Sequence, residues 1–192
     1  MQLKRAIVVH FNGPTGRVEA KGYPYDLQNV SKLKAKGLSC STIKASDVHV
    51  VNGRRNSYGE IGVIFDVHDA SVIHAAKSSD AGTSEWLDEN STASEDDIRD
   101  SICKRSDCEA NEWRVSESDI LGIFMFNDPS NVRIFCDLGD LGYTSSYKSV
   151  GVEEVAKDFQ QFPIFSTNGT SFTKFCRKTK QWIPVAYKKI MR

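Results

Sequence analysis

An α+β fold is expected for this 192-residue chain, on three observations. Apolar, β-branched runs of strand length recur at Ala6 to Phe11, Tyr58 to Phe65 and Ile120 to Phe126, and several are closed by Gly, Pro or Asn clusters. Helix-spaced apolar residues are fewer, chiefly after Asp26 and over Val152 to Gln160. A composition that is 40% hydrophobic and 10% aromatic suits one globular domain over residues 1–192 with a single sizeable core.

Ala6-Ile7-Val8-Val9-His10-Phe11 reads as a first strand stopped by Asn12-Gly13-Pro14-Thr15-Gly16, which puts His10 at its C-terminal end. Leu27, Val30 and Leu33 then have helical spacing, with Asp26 as cap and Gly37 as stop, and deliver the chain to Leu38-Ser39-Cys40-Ser41-Thr42-Ile43. Val48 to Val51 reads as a strand closed by the basic turn Asn52-Gly53-Arg54-Arg55-Asn56, and it is the expected partner of the Tyr58 to Phe65 strand. Val67, Ala70, Val72, Ile73 and Ala75-Ala76 permit a helix within 66–81. Residues 78–106 are rich in Ser, Asp and Glu and read as an acidic, mobile inserted segment with short helices at Ser84 to Asn90 and Ser94 to Lys104, the latter opened by the capping pattern Ser94-Glu95-Asp96-Asp97. Beyond the Glu112 strand, Ile120 to Phe126 and Val132 to Cys136 are expected to form a hairpin across Asn127-Asp128-Pro129-Ser130-Asn131. A helix over Val152 to Gln160, then Phe162 to Phe165 and Trp182 to Tyr187, complete the chain.

Charge and cysteine content narrow the classes. Lys plus Arg and Asp plus Glu are both 25, so no global basic field points to nucleic acid or an anionic membrane. Local basic groups remain at Lys32-Lys34-Lys36, Arg54-Arg55, Arg177-Lys178-Lys180 and Lys188-Lys189-Arg192. No apolar run approaches the roughly 20 residues that span a bilayer, and the opening residues lack a signal-peptide apolar core, so a cytoplasmic protein with no membrane partner is expected. The five cysteines form no CxxC pair and their number is odd, which favours reduced thiols over a disulfide framework. Cys103 and Cys108 lack finger spacing, and no metal is expected.

The residue of greatest chemical interest is Glu112, in Asn111-Glu112-Trp113-Arg114-Val115, because a carboxylate opening an apolar strand is costly to bury unless something uses it. Its order along the chain with Val9-His10-Phe11 and with Gly37-Leu38-Ser39 resembles the ADP-ribosyltransferase superfamily. The branch most similar holds the RNA 2′-phosphotransferases and the DNA-modifying enzymes of bacterial toxin systems. Where those families carry Gly-Thr or Thr after the histidine, this chain has Phe11-Asn12-Gly13, with Thr15 later. The resemblance implies split mixed or antiparallel β-sheets with flanking helices. It implies a mono-ADP-ribosyltransferase, toxin-, effector- or phage-type, that uses NAD as substrate. It also implies Glu112 as the catalytic carboxylate, with His10, Asn12, Ser39, Ser41, Arg55 and Tyr58 around the cofactor and a nucleic acid or protein as acceptor.

Chemistry supports the same set. Cleaving a nicotinamide–ribose bond develops an oxocarbenium cation that a fixed carboxylate stabilises, and amide, phosphate and ring need donors and an aromatic partner. Plainer alternatives stay open: Glu112 paired with Arg114 or Lys104 on an exposed strand, His10 as a satisfied structural histidine, Ser39 and Ser41 as loop residues, Arg54-Arg55 as a solvated turn. Two rival functions also stand. One is a cysteine nucleophile at Cys40 served by His10, His49, His68 or His74; the other is a non-enzymatic phage or bacterial inhibitor acting on a host factor through the acidic 85–100 region. No Gly-x-Ser-x-Gly elbow, P-loop or Gly-x-Gly-x-x-Gly fingerprint occurs.

Overall fold

A computed structural model describes residues 5–12, 22–30, 38–46, 60–67, 72–76, 92–103, 112–116, 118–126, 131–137 and 146–191. The strands are β1 (Ala6–Phe11), β2 (Leu38–Lys44), β3 (Ile61–Phe65), β4 (Ile73–Ala76), β5 (Glu112–Val115), β6 (Ile120–Met125), β7 (Asn131–Asp137), β8 (Ser146–Gly151), β9 (Ile164–Thr167), β10 (Phe172–Cys176) and β11 (Gln181–Val185). Short helices α1 (Tyr25–Gln28), α2 (Glu95–Cys103) and α3 (Val152–Asp158) and a 3₁₀ turn at Tyr187–Lys189 join them. Nine strands form one sheet in the order β11-β10-β9-β6-β3-β1-β2-β5-β4, and β7 and β8 form a separate pair. Every pairing is antiparallel except β6 with β9. The architecture is thus mixed α/β, dominated by a mostly antiparallel sheet. Among the described residues no helix is long and apolar enough to cross a membrane.

β1 lies near the middle of the sheet and is buried along its whole length, which is why it reads as a continuous rather than alternating apolar run. Register assigns the faces. Val9 pairs with Ser41 and Ser41 with Glu112, so these three project from one face; Phe11, Gly62, Phe124 and Phe165 follow on the same face. Phe11 meets Phe124 edge-on at 6.3 Å and Phe126 at 5.9 Å. Gly62 permits the close approach of β3 to β1: a Cβ there would stand 2.4 Å from the His10 carbonyl oxygen and 2.7 Å from Val9 Cγ1. Trp113 projects from the other face, under α2, where its Nε1–H donates to Ser101 Oγ at 2.9 Å and Ile98 and Ile102 are buried.

The sheet curls strongly. Thr167, at the end of β9, donates its hydroxyl to the Ala45 carbonyl just past β2, and Tyr187 donates to the Ala6 carbonyl at 3.0 Å. Burial pushes the Tyr187 phenol from 10.0 up to about 12. A phenol held neutral in the fold contributes stability that is whole below pH 10 and is lost as pH rises towards 12. Denaturant titrations across that window should show stability falling with pH, and Tyr187→Phe should flatten the slope.

Several expectations need correction. Of residues 66–81, those described from Ile73 to Ala76 form a strand where a helix is expected: Ile73, Ala75 and Ala76 are buried, and β4 pairs with β5. β3 is flanked by β1 and β6; the expected His49 strand lies outside the described residues. β7 pairs with β8 rather than with β6, because β6 is taken on one side by β3 and on the other by β9. The first helix is a single described turn, in which Asp26 accepts from the Gly22 N–H at 2.9 Å instead of capping the start; Leu33 and Gly37 lie outside the described residues. Within the acidic segment α2 is docked, not loose. Ser94 Oγ accepts the Asp97 N–H at 3.1 Å while Asp97 Oδ2 accepts the Ser94 N–H at 3.2 Å, the reciprocal cap read from the sequence.

Candidate active site

Strands β1, β2 and β5 lie side by side and carry His10, Ser39 and Glu112. Glu112 opens β5, an interior strand between β2 and β4, and is 4% exposed. Burial of a carboxylate needs compensation. Ser39 Oγ donates to Glu112 Oε1 at 2.5 Å, and Arg114 Nη2 lies 3.1 Å from the same oxygen. Alternation explains the meeting: in β2–β5 Ser41 is opposite Glu112 and Ser39 opposite Arg114, so all four side chains share one face.

His10 reaches the cluster differently. By register its side chain belongs to the opposite face, with Trp113. The β1–β2 pairing ends at Val9 and Ser41, and past that point His10 Nδ1 bonds the Ser39 carbonyl oxygen at 2.7 Å, as a donor in that tautomer. Ser39 is therefore held from both sides, its carbonyl by His10 and its hydroxyl by Glu112. Asn12, two residues on, is buried, and its N–H donates to the Ile61 carbonyl at 2.7 Å.

The structure brings together His10, Ser39, Ser41 and Glu112, with Asn12 at the end of β1; Arg55 and Tyr58 lie outside the described residues. Glu112 does pair with Arg114, yet on a buried face. Ser39 and Ser41 belong to a strand rather than a loop. Arg114 was legible only as a surface partner, although its place two residues after Glu112 on one strand was the available signal. Ser39→Ala would leave the buried carboxylate one donor short and should cost roughly 1.5–3 kcal/mol, read as a lowered denaturation midpoint.

Cys40 gives a thiol nucleophile no support. It is buried on the Trp113 side, and burial together with the Glu112 charge pushes its thiol well above the usual range, more than Arg114 offsets, so it stays protonated. Among the described residues no group of His, Cys, Asp or Glu is placed to hold a metal ion. Of the basic groups, Lys174, Lys178, Lys188 and Lys189 are exposed, whereas Lys180 pairs with Glu153 at 2.8 Å and Arg177 donates to the Phe159 and Phe162 carbonyls at 2.9 and 2.8 Å. No family model matches the chain, and neither a curated protein nor a solved structure matches it significantly.

Proposed function

We propose that this chain is an NAD-dependent mono-ADP-ribosyltransferase with Glu112 as its catalytic carboxylate, acting on a nucleic acid or protein in a cytosol, its own or a host's. The observation that carries the reading is the buried Glu112 held by Ser39 on the neighbouring strand, with His10 fixing the Ser39 backbone from the strand beyond. Three motifs that stand far apart along the chain, and that together resemble the superfamily, occupy three consecutive strands. The finer assignment, an ADP-ribosyltransferase fold, belongs to the same proposal.

In the reaction the bond between ribose C1′ and the nicotinamide nitrogen breaks, and the electron pair leaves with nicotinamide. The acceptor nucleophile then forms a bond to C1′ and gives up its proton. Positive charge on the ribose is greatest between these events, and a carboxylate already oriented by a hydroxyl and a guanidinium opposes it without reorganising. Glu112 fills that role or orients the 2′-hydroxyl. Asn12, Ser41, Arg55 and Tyr58 are assigned to the amide, the phosphates and the stacked ring. His10 works through Ser39, as a positioning residue. Loops outside the sheet choose the acceptor.

The test uses the full chain with NAD labelled in its ADP-ribose half. Nicotinamide release with transfer of label to nucleic acid or protein is expected, together with a rise in melting temperature on adding NAD. A folded chain that shows no NAD binding at millimolar concentration overturns the reading in favour of a binding or inhibitor protein.

A further inference from the structure

The neutrality of the chain is a sum of unlike parts. Residues 159–192 contain seven Lys or Arg and no Asp or Glu, and residues 1–158 hold the compensating excess of acid. The basic stretch builds β9, β10, β11 and the 3₁₀ turn, at one outer end of the nine-stranded sheet. Arg177 and Lys180 are engaged with backbone carbonyls and with Glu153. Lys174, Lys178, Lys188 and Lys189 are exposed and pair with no carboxylate among the described residues.

Ile183 lies among these lysines. It is 48% exposed, one of two large exposed hydrophobic side chains among the described residues, and stands directly opposite Lys174 in the β10–β11 pair. A single exposed isoleucine is ordinary on a protein surface, so its setting decides what it means. β11 is an outermost strand, but Pro184, next in the chain, has no N–H to offer a further strand, which makes the edge a poor template for strand addition. A nucleic-acid strand would stack its bases on exposed rings. Here the rings are turned inward: Trp182 packs on Phe175 at 5.4 Å between centroids, and Tyr187 packs on Phe172 at 6.5 Å and donates its hydroxyl to the Ala6 carbonyl. An acid-free lysine surface around an exposed aliphatic side chain matches an anionic bilayer, where lysines lie at the headgroups and the apolar group enters the boundary beneath them.

We propose that the exposed surface of β10, β11 and the turn that follows is a peripheral docking site for an anionic lipid bilayer, with Ile183 inserted and Lys174, Lys178, Lys188 and Lys189 against the headgroups. The proposal is independent of the NAD reading. It departs from the expectation of no membrane partner, which rested on total charge and on the lack of a spanning run, and neither of those registers a local patch. Attachment through a few lysines and one aliphatic side chain is reversible and sensitive to salt.

Co-sedimentation of the full chain with vesicles of phosphatidylcholine, alone or with about one-third phosphatidylserine, tests the site. The chain should bind the phosphatidylserine vesicles, leave the neutral ones, and be released as salt rises. Lys188→Ala combined with Lys189→Ala should weaken binding about 25-fold, and Ile183→Ser about fivefold, each with the melting temperature of the parent because the altered side chains are exposed. A titration with a single-stranded oligonucleotide runs in parallel. Failure to bind phosphatidylserine vesicles at low salt would overturn the proposal, and oligonucleotide binding that the lysine pair weakens would then assign the surface to nucleic acid. Vesicle binding unmoved by Ile183→Ser would overturn it as well, leaving only the adsorption of a basic surface.

Discussion

Glu112→Gln is expected to lower nicotinamide release roughly 10²–10³-fold while leaving the chain folded and NAD affinity within a few-fold of the parent's. Glutamine has the size of glutamate and can still accept from the Ser39 hydroxyl, so the local geometry survives. What disappears is the negative charge, which matters most when the ribose becomes cationic and little while NAD is merely bound. The loss should therefore fall on kcat more than on KM. Arg114 becomes an unpaired cation, partly relieved by its own access to solvent, so melting temperature should drop modestly. A Gln variant that turns over NAD as fast as the parent would reduce Glu112 to an internal ion-pair partner. A variant that fails to fold would be replaced by Glu112→Asp, which keeps the charge and withdraws it by one methylene.

Trp113→Ala should have the largest effect on stability, about 3–5 kcal/mol, read as a lower denaturant midpoint with little change in slope. Trp113 is fully buried and is the largest such side chain among the described residues. Its indole fills the space between β5 and α2, and its N–H donates to Ser101, whose own hydroxyl donates to the Ile98 carbonyl at 2.8 Å. Removing the ring takes away apolar contact and leaves Ser101 without its donor. Domains of this size have only about 5–15 kcal/mol in total, so the variant would stand near its threshold. Trp113→Phe, which keeps most of the contact and loses only the hydrogen bond and part of the volume, should recover much of the difference. Equal losses for the two would mean that the hydrogen bond rather than the packing matters.

How much of this could be read from the residues depends on how local the cause is. β1 and β6 are visible as apolar runs, and the cap of α2 is visible because Ser94 and Asp97 satisfy each other within one turn. The start of α3 is likewise marked by its own apolar spacing. β4 looks helical in the sequence because Val72, Ile73, Ala75 and Ala76 also fit a helical spacing; the competing demand comes from β5, whose outer edge needs a partner. The β6–β7 hairpin failed in the same way. Its turn chemistry favoured a hairpin, but β6 is taken by β3 and by β9, a strand supplied some 40 residues later. For the site, the burial of Glu112 follows from the apolar residues after it. Its bond to Ser39 does not, since that depends on a register between strands separated by 73 positions.

The curl of the sheet bears on how the chain is made. Tyr187 closes on Ala6 across 181 positions, and Thr167 on Ala45 across 122. β1, near the middle of the sheet, is made before the other described strands, yet the closure on Ala45 cannot form until Thr167 has been made, nor the closure on Ala6 until Tyr187 has. Until then the early strands expose apolar faces that the finished sheet covers. Folding of the native sheet is therefore completed only once Tyr187 is available, at the slow rates typical of non-local β topologies.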